Sequence, residues 1–256
     1  MRYQFATPEP PKLRAGIAAG SIEIETADVA ETIVEVEAIR GDVDNLKVEQ
    51  HGRDVVIEHR RRFALSGKDE YEIRITAPHG ADADLNVASA DVRAAGRYGE
   101  VELHTASGDL RVAEVERDAK VRSASGDVRF DTVRGRIEVT TASGDLEIGA
   151  AHGGGTIRSA SGDVRLGQAA DRVVVQTASG DLVIESIAEG AVDLKSASGD
   201  ARIGVGRGSR LYVDARSLSG DTSSEVDLDG VEADDEGPLV EVKASSMSGD
   251  IRIVRA

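Results

Sequence analysis

The chain has 256 residues, a formal charge of −16, no cysteine and 3% aromatic residues. The acidic balance excludes nucleic-acid binding by phosphate neutralisation and disfavours an anionic lipid surface, since both need a basic patch. Without Cys there are no disulfides and no thiolate metal sites, and apolar residues drawn mostly from Val, Ile, Leu and Ala suit thin, regular β layers.

The opening "MRYQFATPEPPKLRAG" has no apolar core of a signal peptide. No later stretch approaches the ~20 apolar residues of a membrane span. With Met1 as the start, the expectation is a cytoplasmic protein with no direct membrane insertion. "GSIEIET" (Gly20 to Thr26), "TIVEVEA" (Thr32 to Ala38), "DVVIEHR" (Asp54 to Arg60) and "YEIRITA" (Tyr71 to Ala77) alternate apolar and polar residues, the period of half-buried strands. Residues 1–80 therefore read as an N-terminal β cap continuous with the remainder of the chain. The short basic run Arg60 to Arg62 reads as a solvated strand end.

Residues 81–256 read as a repeat. Ser-Gly-Asp begins at Ser107, Ser125, Ser143, Ser161, Ser179, Ser198, Ser219 and Ser248, with spacings of 18, 18, 18, 18, 19, 21 and 29. A degenerate copy, "ASAD", spans Ala88 to Asp91. "GSIEI" resembles a worn copy of "GDVRF". In register, the residue after Asp is Leu110, Val128, Leu146, Val164, Leu182 and Ala201. Four before Ser stand Leu103, Val121, Val139, Ile157, Val175 and Leu194. Each unit reads as strand, Ser-Gly-Asp corner, strand and a looser second corner. A unit this small cannot bury its own apolar face, so units must stack at roughly 4.8 Å. The fold expected is all-β: a single-chain parallel β-solenoid (β-helix) with about 18 residues per repeat.

Basic residues alternate along the repeat. Arg122 and Arg129 give way to Thr140 and Glu147, then Arg158 and Arg165, then Gln176 and Val183, then Lys195 and Arg202. An 18-residue coil keeps like charges off adjacent rungs, whereas a 36-residue coil stacks them, so 18 is favoured. Further on, "GVGRGS" (Gly204 to Ser209) reads as a corner loop. Beyond it lies an acidic loop near 225–241, with eight Asp and Glu residues and no Lys or Arg. "GDIRIVRA" (Gly249 to Ala256) closes the sequence as a strand, read as an open edge.

With these columns laid out, the chain resembles a bacterial β-strand-repeat family, the putative adhesin or toastrack family, also called domain of unknown function 4097. The resemblance rests on "GSIEIET", "YEIRITAPHGADADLNV" and the repeated "SGDV/SGDL", and spans nearly the whole chain. It implies a β-solenoid of the kind found beside bacterial envelope-stress and membrane-associated signalling components.

The candidate chemistry is sparse. Asp109, Asp127, Asp145, Asp163, Asp181 and Asp200 form a ladder, and oxygen ligands suit a hard cation such as calcium. One Asp per coil supplies few of the 6–8 ligands needed, and turn chemistry explains the motif: Gly gives positive φ while Ser and Asp bond backbone groups. A glycan-active β-helix enzyme would want aromatic platforms, and Tyr3, Phe5, Phe63, Tyr71, Tyr98, Phe130 and Tyr212 are scattered. His51, His59, His79, His104 and His152 show no metal-ligand spacing. No catalytic, cofactor-binding or metal residue is assigned, and no cofactor is expected. The leading reading is a non-catalytic scaffold that binds a protein partner or self-associates. A calcium-stabilised module and a glycan-active enzyme are the alternatives.

Overall fold

The computed structural model describes residues 1–60, 69–225 and 237–256. It is all-β and solenoidal. Among the described residues the one helical element is a 3-10 turn at Val43–Asn45, and no helix is long and apolar enough to cross a membrane. The chain forms two compact units, Met1–Asp131 and Thr132–Ala256.

The first unit contains β1 (Arg2–Ala6), β2 (Lys12–Ala27), β3 (Glu31–Arg40), β4 (Leu46–His51), β5 (Asp54–His59) and β6 (Glu70–Pro78). Next come the long β7 (Ala81–Ser107), β8 (Leu110–Val115) and β9 (Ala119–Ser123), and β10 (Val128–Val133) holds the boundary. β7 pairs in parallel with β8 (Val92 beside Leu110) and with β9 (Val101 beside Ala119), an 18-residue offset both times. On its other side β7 pairs in parallel with β2, from Lys12 beside Asp82 to Glu25 beside Ala95. Gly20 stands beside Ala90 and Ser21 beside Asp91, so "GSIEI" is indeed a worn rung in register with "ASAD".

Beyond β2 the pattern changes. Its outer edge takes β5 and β6 in parallel. β4 then joins β5, β3 joins β6 and β1 joins β3, all antiparallel. The cap expected over residues 1–80 thus holds one true rung, β2, under a layer closed by antiparallel strands. Alternation in the sequence marks these strands but not their direction, because a half-buried strand has the same period either way.

The second unit contains β11 (Ile137–Thr141), β12 (Leu146–Ala151), β13 (Gly155–Ser159), β14 (Val164–Ala169), β15 (Arg172–Thr177), β16 (Leu182–Ile187), β17 (Gly190–Ser198) and β18 (Ala201–Val205). It ends with β19 (Arg210–Ser219), β20 (Thr222–Ser224), β21 (Leu239–Ser248) and β22 (Ile251–Arg255). Two parallel ladders run side by side. β11, β13, β15 and β17 stack in one, and β12, β14, β16 and β18 in the other. Leu146 lies beside Val164, and Val164 beside Leu182, so a coil is 18 residues. The inward columns are dry: Val139, Ile157, Val175 and Leu194 are all at most 1% exposed. Burying one such side chain stabilises by roughly 1.5–3 kcal/mol, and the repeat multiplies that gain along the stack.

The last rungs are out of sequence order. β21 pairs with β17 on one edge and β19 on the other. β22 likewise lies between β18 and β20. The strand of Gly249 to Ala256 is therefore interior, which corrects its reading as an open edge. The reason is packing. Ile251, Ile253 and Val254 are buried, whereas Thr222, Ser223 and Ser224 are polar and exposed. A Thr-Ser-Ser strand cannot fill a column between two rungs, so it takes the outside.

Of the acidic loop, Glu225 is exposed and Glu241 sits in β21. Residues 226–236, and Arg61, Arg62 and Phe63, lie outside the described residues.

Candidate interaction surface

The repeated corner is built by three side-chain types, each with one structural task. The first residue of the motif is buried and closes the turn. The hydroxyls of Thr105, Ser123, Thr141, Ser159 and Thr177 donate to the carbonyl two residues on, at 2.9–3.0 Å. Gly stacks against the rung below. At Gly162, with φ at +106°, an added Cβ would lie 2.2 Å from the carbonyl oxygen of Gly144. Positive φ and this close approach both demand glycine.

Asp then ties rung to rung. In the first unit the backbone N–H groups of Asp109 and Asp127 donate to the carboxylates of Asp91 and Asp109. In the second unit Asp163 donates to Asp145, Asp181 to Asp163, Asp200 to Asp181, Asp250 to Asp200 and Asp221 to Asp250. All seven bonds measure 2.8–3.0 Å. The sequence assigned these carboxylates to local turn bonding. Their partner is instead the equivalent residue one coil away. Adjacent carboxylates about 5 Å apart repel by only about 1 kcal/mol in water, and a charge-assisted bond to an N–H offsets that.

The five histidines do not converge. His51 lies beside Glu49, His104 beside Glu102, and His79 meets the Thr26 hydroxyl. His152 is exposed, and His59 packs edge-on against Tyr71 at 5.6 Å. Both ring nitrogens of His59 are buried without a hydrogen-bond partner among the described residues. No group of three His, Asp or Glu residues there is arranged to hold a metal ion. The His104 imidazole and the Lys120 ammonium hold the Glu102 carboxyl below its usual range.

The charge alternation holds within the regular rungs. Arg158 lies between Thr140 and Gln176, and Arg165 between Glu147 and Val183. It fails where the stack departs from sequence order, for Arg202 lies beside Arg252, which turns to Asp250 at 3.0 Å. It fails also in the first unit, where Arg93 stands beside Arg111, and both line a shallow hollow of about 240 Å³ with Arg129 and Asp131.

One charged centre escaped the sequence reading. Asp82 is 9% exposed and accepts from Arg53 at 2.7 Å, from Arg117 and from the Glu100 backbone N–H at 3.0 Å. It bridges three separate chain segments and carries no motif, so only the folded arrangement reveals it. Its partners are all internal, which makes it a clamp.

Among the described residues, one surface that remains unsatisfied is the outer rung of the second unit. β19 bonds β21 along one edge, and among the described residues its other edge meets no strand. Its inward residues Leu211, Val213 and Ala215 are only half-buried, although their neighbours Val240, Val242 and Ala244 are buried. Tyr212 is 54% exposed and Leu218 is 82% exposed. Leu218 and Met247 occupy the corner position held by Ala106, Ala124, Ala142, Ala160, Ala178 and Ala197 elsewhere. An exposed apolar corner is thus confined to the two outermost rungs.

The family model described as Toastrack DUF4097 matches residues 21–254. Two solved structures are similar over almost their full lengths. One is a putative adhesin from Parabacteroides distasonis, at 10% identity and a TM-score of 0.53, covering 98% of this chain and 96% of that one. The other is a putative adhesin from Bacteroides fragilis, at 14% identity and a TM-score of 0.48, covering 99% and 96%. At such identity the first likeness shows a common fold. No curated protein matches the chain.

Proposed function

The chain belongs to the Toastrack DUF4097 family, and from that premise we propose a non-catalytic β-solenoid scaffold that binds a protein partner. The observation that carries the reading is the fate of the repeated polar groups. The corner hydroxyls and the Asp carboxylates engage the backbone of their own or the next rung, so the signature residues build the stack. What is left for a partner is surface: long rung faces and strand edges, that of β19 among them. Solenoids use such extended surfaces for protein binding. We further propose that this binding serves bacterial envelope-stress or membrane-associated signalling, the setting the family resemblance implies. The location we propose is the cytoplasm, where a chain without Cys is indifferent to reducing conditions.

The test has two arms. Purified protein incubated with a panel of polysaccharides releases no reducing ends, and a partner captured from the native cell is retained by direct binding of purified components. Turnover of any glycan would overturn the non-catalytic reading. A captured partner that fails to bind when both proteins are pure would overturn the scaffold reading. Cell fractionation checks the location separately.

A further inference from the structure

The outer strand β19 has a sequence that complements itself. Arg210 donates its backbone N–H at 2.9 Å to the carbonyl of Pro238, the residue just before β21. In a parallel ladder, a residue's N–H and C=O point to one side and those of the next residue to the other. Tyr212, Asp214 and Arg216 therefore bond β21, while Leu211, Val213 and Ala215 direct their backbone groups to the edge that meets no strand among the described residues. An antiparallel partner strand would exchange paired hydrogen bonds with those odd-numbered residues.

We propose that this edge pairs with the same edge of a second copy of this chain, about a two-fold axis through Ala215. The proposal rests on the scaffold reading above and names one partner for it. In this register Ala215 faces its own copy, and Val213 faces Ser217 of the second copy. On the outward face Asp214 meets Arg216, Arg216 meets Asp214, and Tyr212 meets Leu218. Both charges already lie on that face, for Arg216 Nε contacts Asp214 Oδ1 at 3.0 Å. The neighbouring registers that use the same backbone groups are penalised. Centring on residue 214 sets Asp against Asp, and centring on 216 sets Arg against Arg, both unfavourable directly across a sheet. An isologous interface needs this kind of self-complementarity. The pairing also flanks Leu211 and Val213, the half-buried inward residues of the last rung, and sets the exposed Leu218 against an apolar ring.

Sedimentation equilibrium of the full chain tests it. The wild type is expected to be a reversible dimer. Asp214→Arg and Arg216→Asp each convert two attractive cross-strand contacts into repulsive ones, and each is expected to weaken the dimer about tenfold or more, since 1.4 kcal/mol is a factor of ten. The double swap, Asp214→Arg with Arg216→Asp, restores opposite charges in the same register and is expected to recover the dimer. Ala215→Pro removes an N–H that meets no strand among the described residues, at an edge position where proline is tolerated, and is expected to give a folded monomer, with the fold checked by circular dichroism. Single charge variants that dimerise like the wild type, or a double swap that stays monomeric, would overturn the pairing. A monomeric wild type would overturn it too, while leaving the scaffold reading to its own binding assay.

Discussion

The two units finish their stacks differently. In the first, antiparallel strands β1, β3 and β4 close over the rung β2, and the inward residues Ile22, Val34, Tyr71 and Ile73 are 0% exposed. In the second, the last rung is parallel and uncovered among the described residues, and its inward residues stay half-buried. Reversing strand direction lets a chain lay further strands over its core through short hairpin-like connections, whereas another parallel rung needs a full coil of chain. The difference lies in the inward face, which is dry in the first unit and half-buried in the second; β1 and β4, like β19, each keep one edge that meets no strand among the described residues.

That contrast can be broken most strongly at matched inward positions. Ile73→Ala in β6 is expected to cost about 3–4 kcal/mol by denaturant unfolding, as a buried large-to-small change does. Val213→Ala in β19 is expected to cost less than about 1 kcal/mol, because its site is already open to water. Equal losses would mean that the outer rung is covered in solution.

Removing the clamp of the first unit comes next. Asp82→Ala leaves Arg53 and Arg117 without their shared carboxylate and is expected to cost about 2–3 kcal/mol, the range for bonds to a charged group. Thermal melts of the variant and the wild type read this directly.

Alkaline pH separates the units without mutation. Burial, with the Asp69 carboxylate adding to it, pushes the Tyr71 phenol up to about 12. Burial pushes Tyr98 up as well, with Glu25 contributing, and its hydroxyl donates to the carbonyls of Ile24 and Ala95. A raised phenol stabilises fully below its unfolded value and loses that contribution as pH climbs through the folded one. The first unit is therefore expected to lose stability progressively from about pH 10 upward, as both phenols come under pressure to ionise. The second unit has only the exposed Tyr212 and is expected to lose less. Amide exchange resolved by segment would show it.

The smallest effect is expected in the ladder. Asp163→Asn keeps an oxygen that accepts the Asp181 N–H and removes a like charge, so stability should stay within about 0.5 kcal/mol. Asp163→Ala should cost about 1 kcal/mol, the net worth of one hydrogen bond. A large loss in the Asn variant would show that the charge itself matters.

Where the period is strict the sequence was a direct guide. The columns from Leu110 to Ala201 face inward as their alternation demands, and the charge alternation favoured the 18-residue coil that the register shows. The order of the final rungs was hidden because each Ser-Gly-Asp corner fits any other. Corners at Ser219 and Ser248 are interchangeable as turns. The deciding signal lay just past them, in polar "TSS" against apolar "IRIV", and it becomes legible only once one asks which strand could be covered on both sides. Asp82 and the antiparallel cap were out of reach for a different reason: they join segments far apart in the chain, and no local pattern encodes such a meeting.

The inserted rung also orders events in time. A chain made from its N-terminus completes β19 and β20 before β21 and β22 exist, yet in the finished molecule the earlier pair rests on the later one. Growth of the second unit therefore cannot run rung by rung to its end. The earlier pair must wait undocked, or dock on β17 and β18 and then yield. The later pair wedges itself inside the stack, and only then does the outer rung have a place to lie.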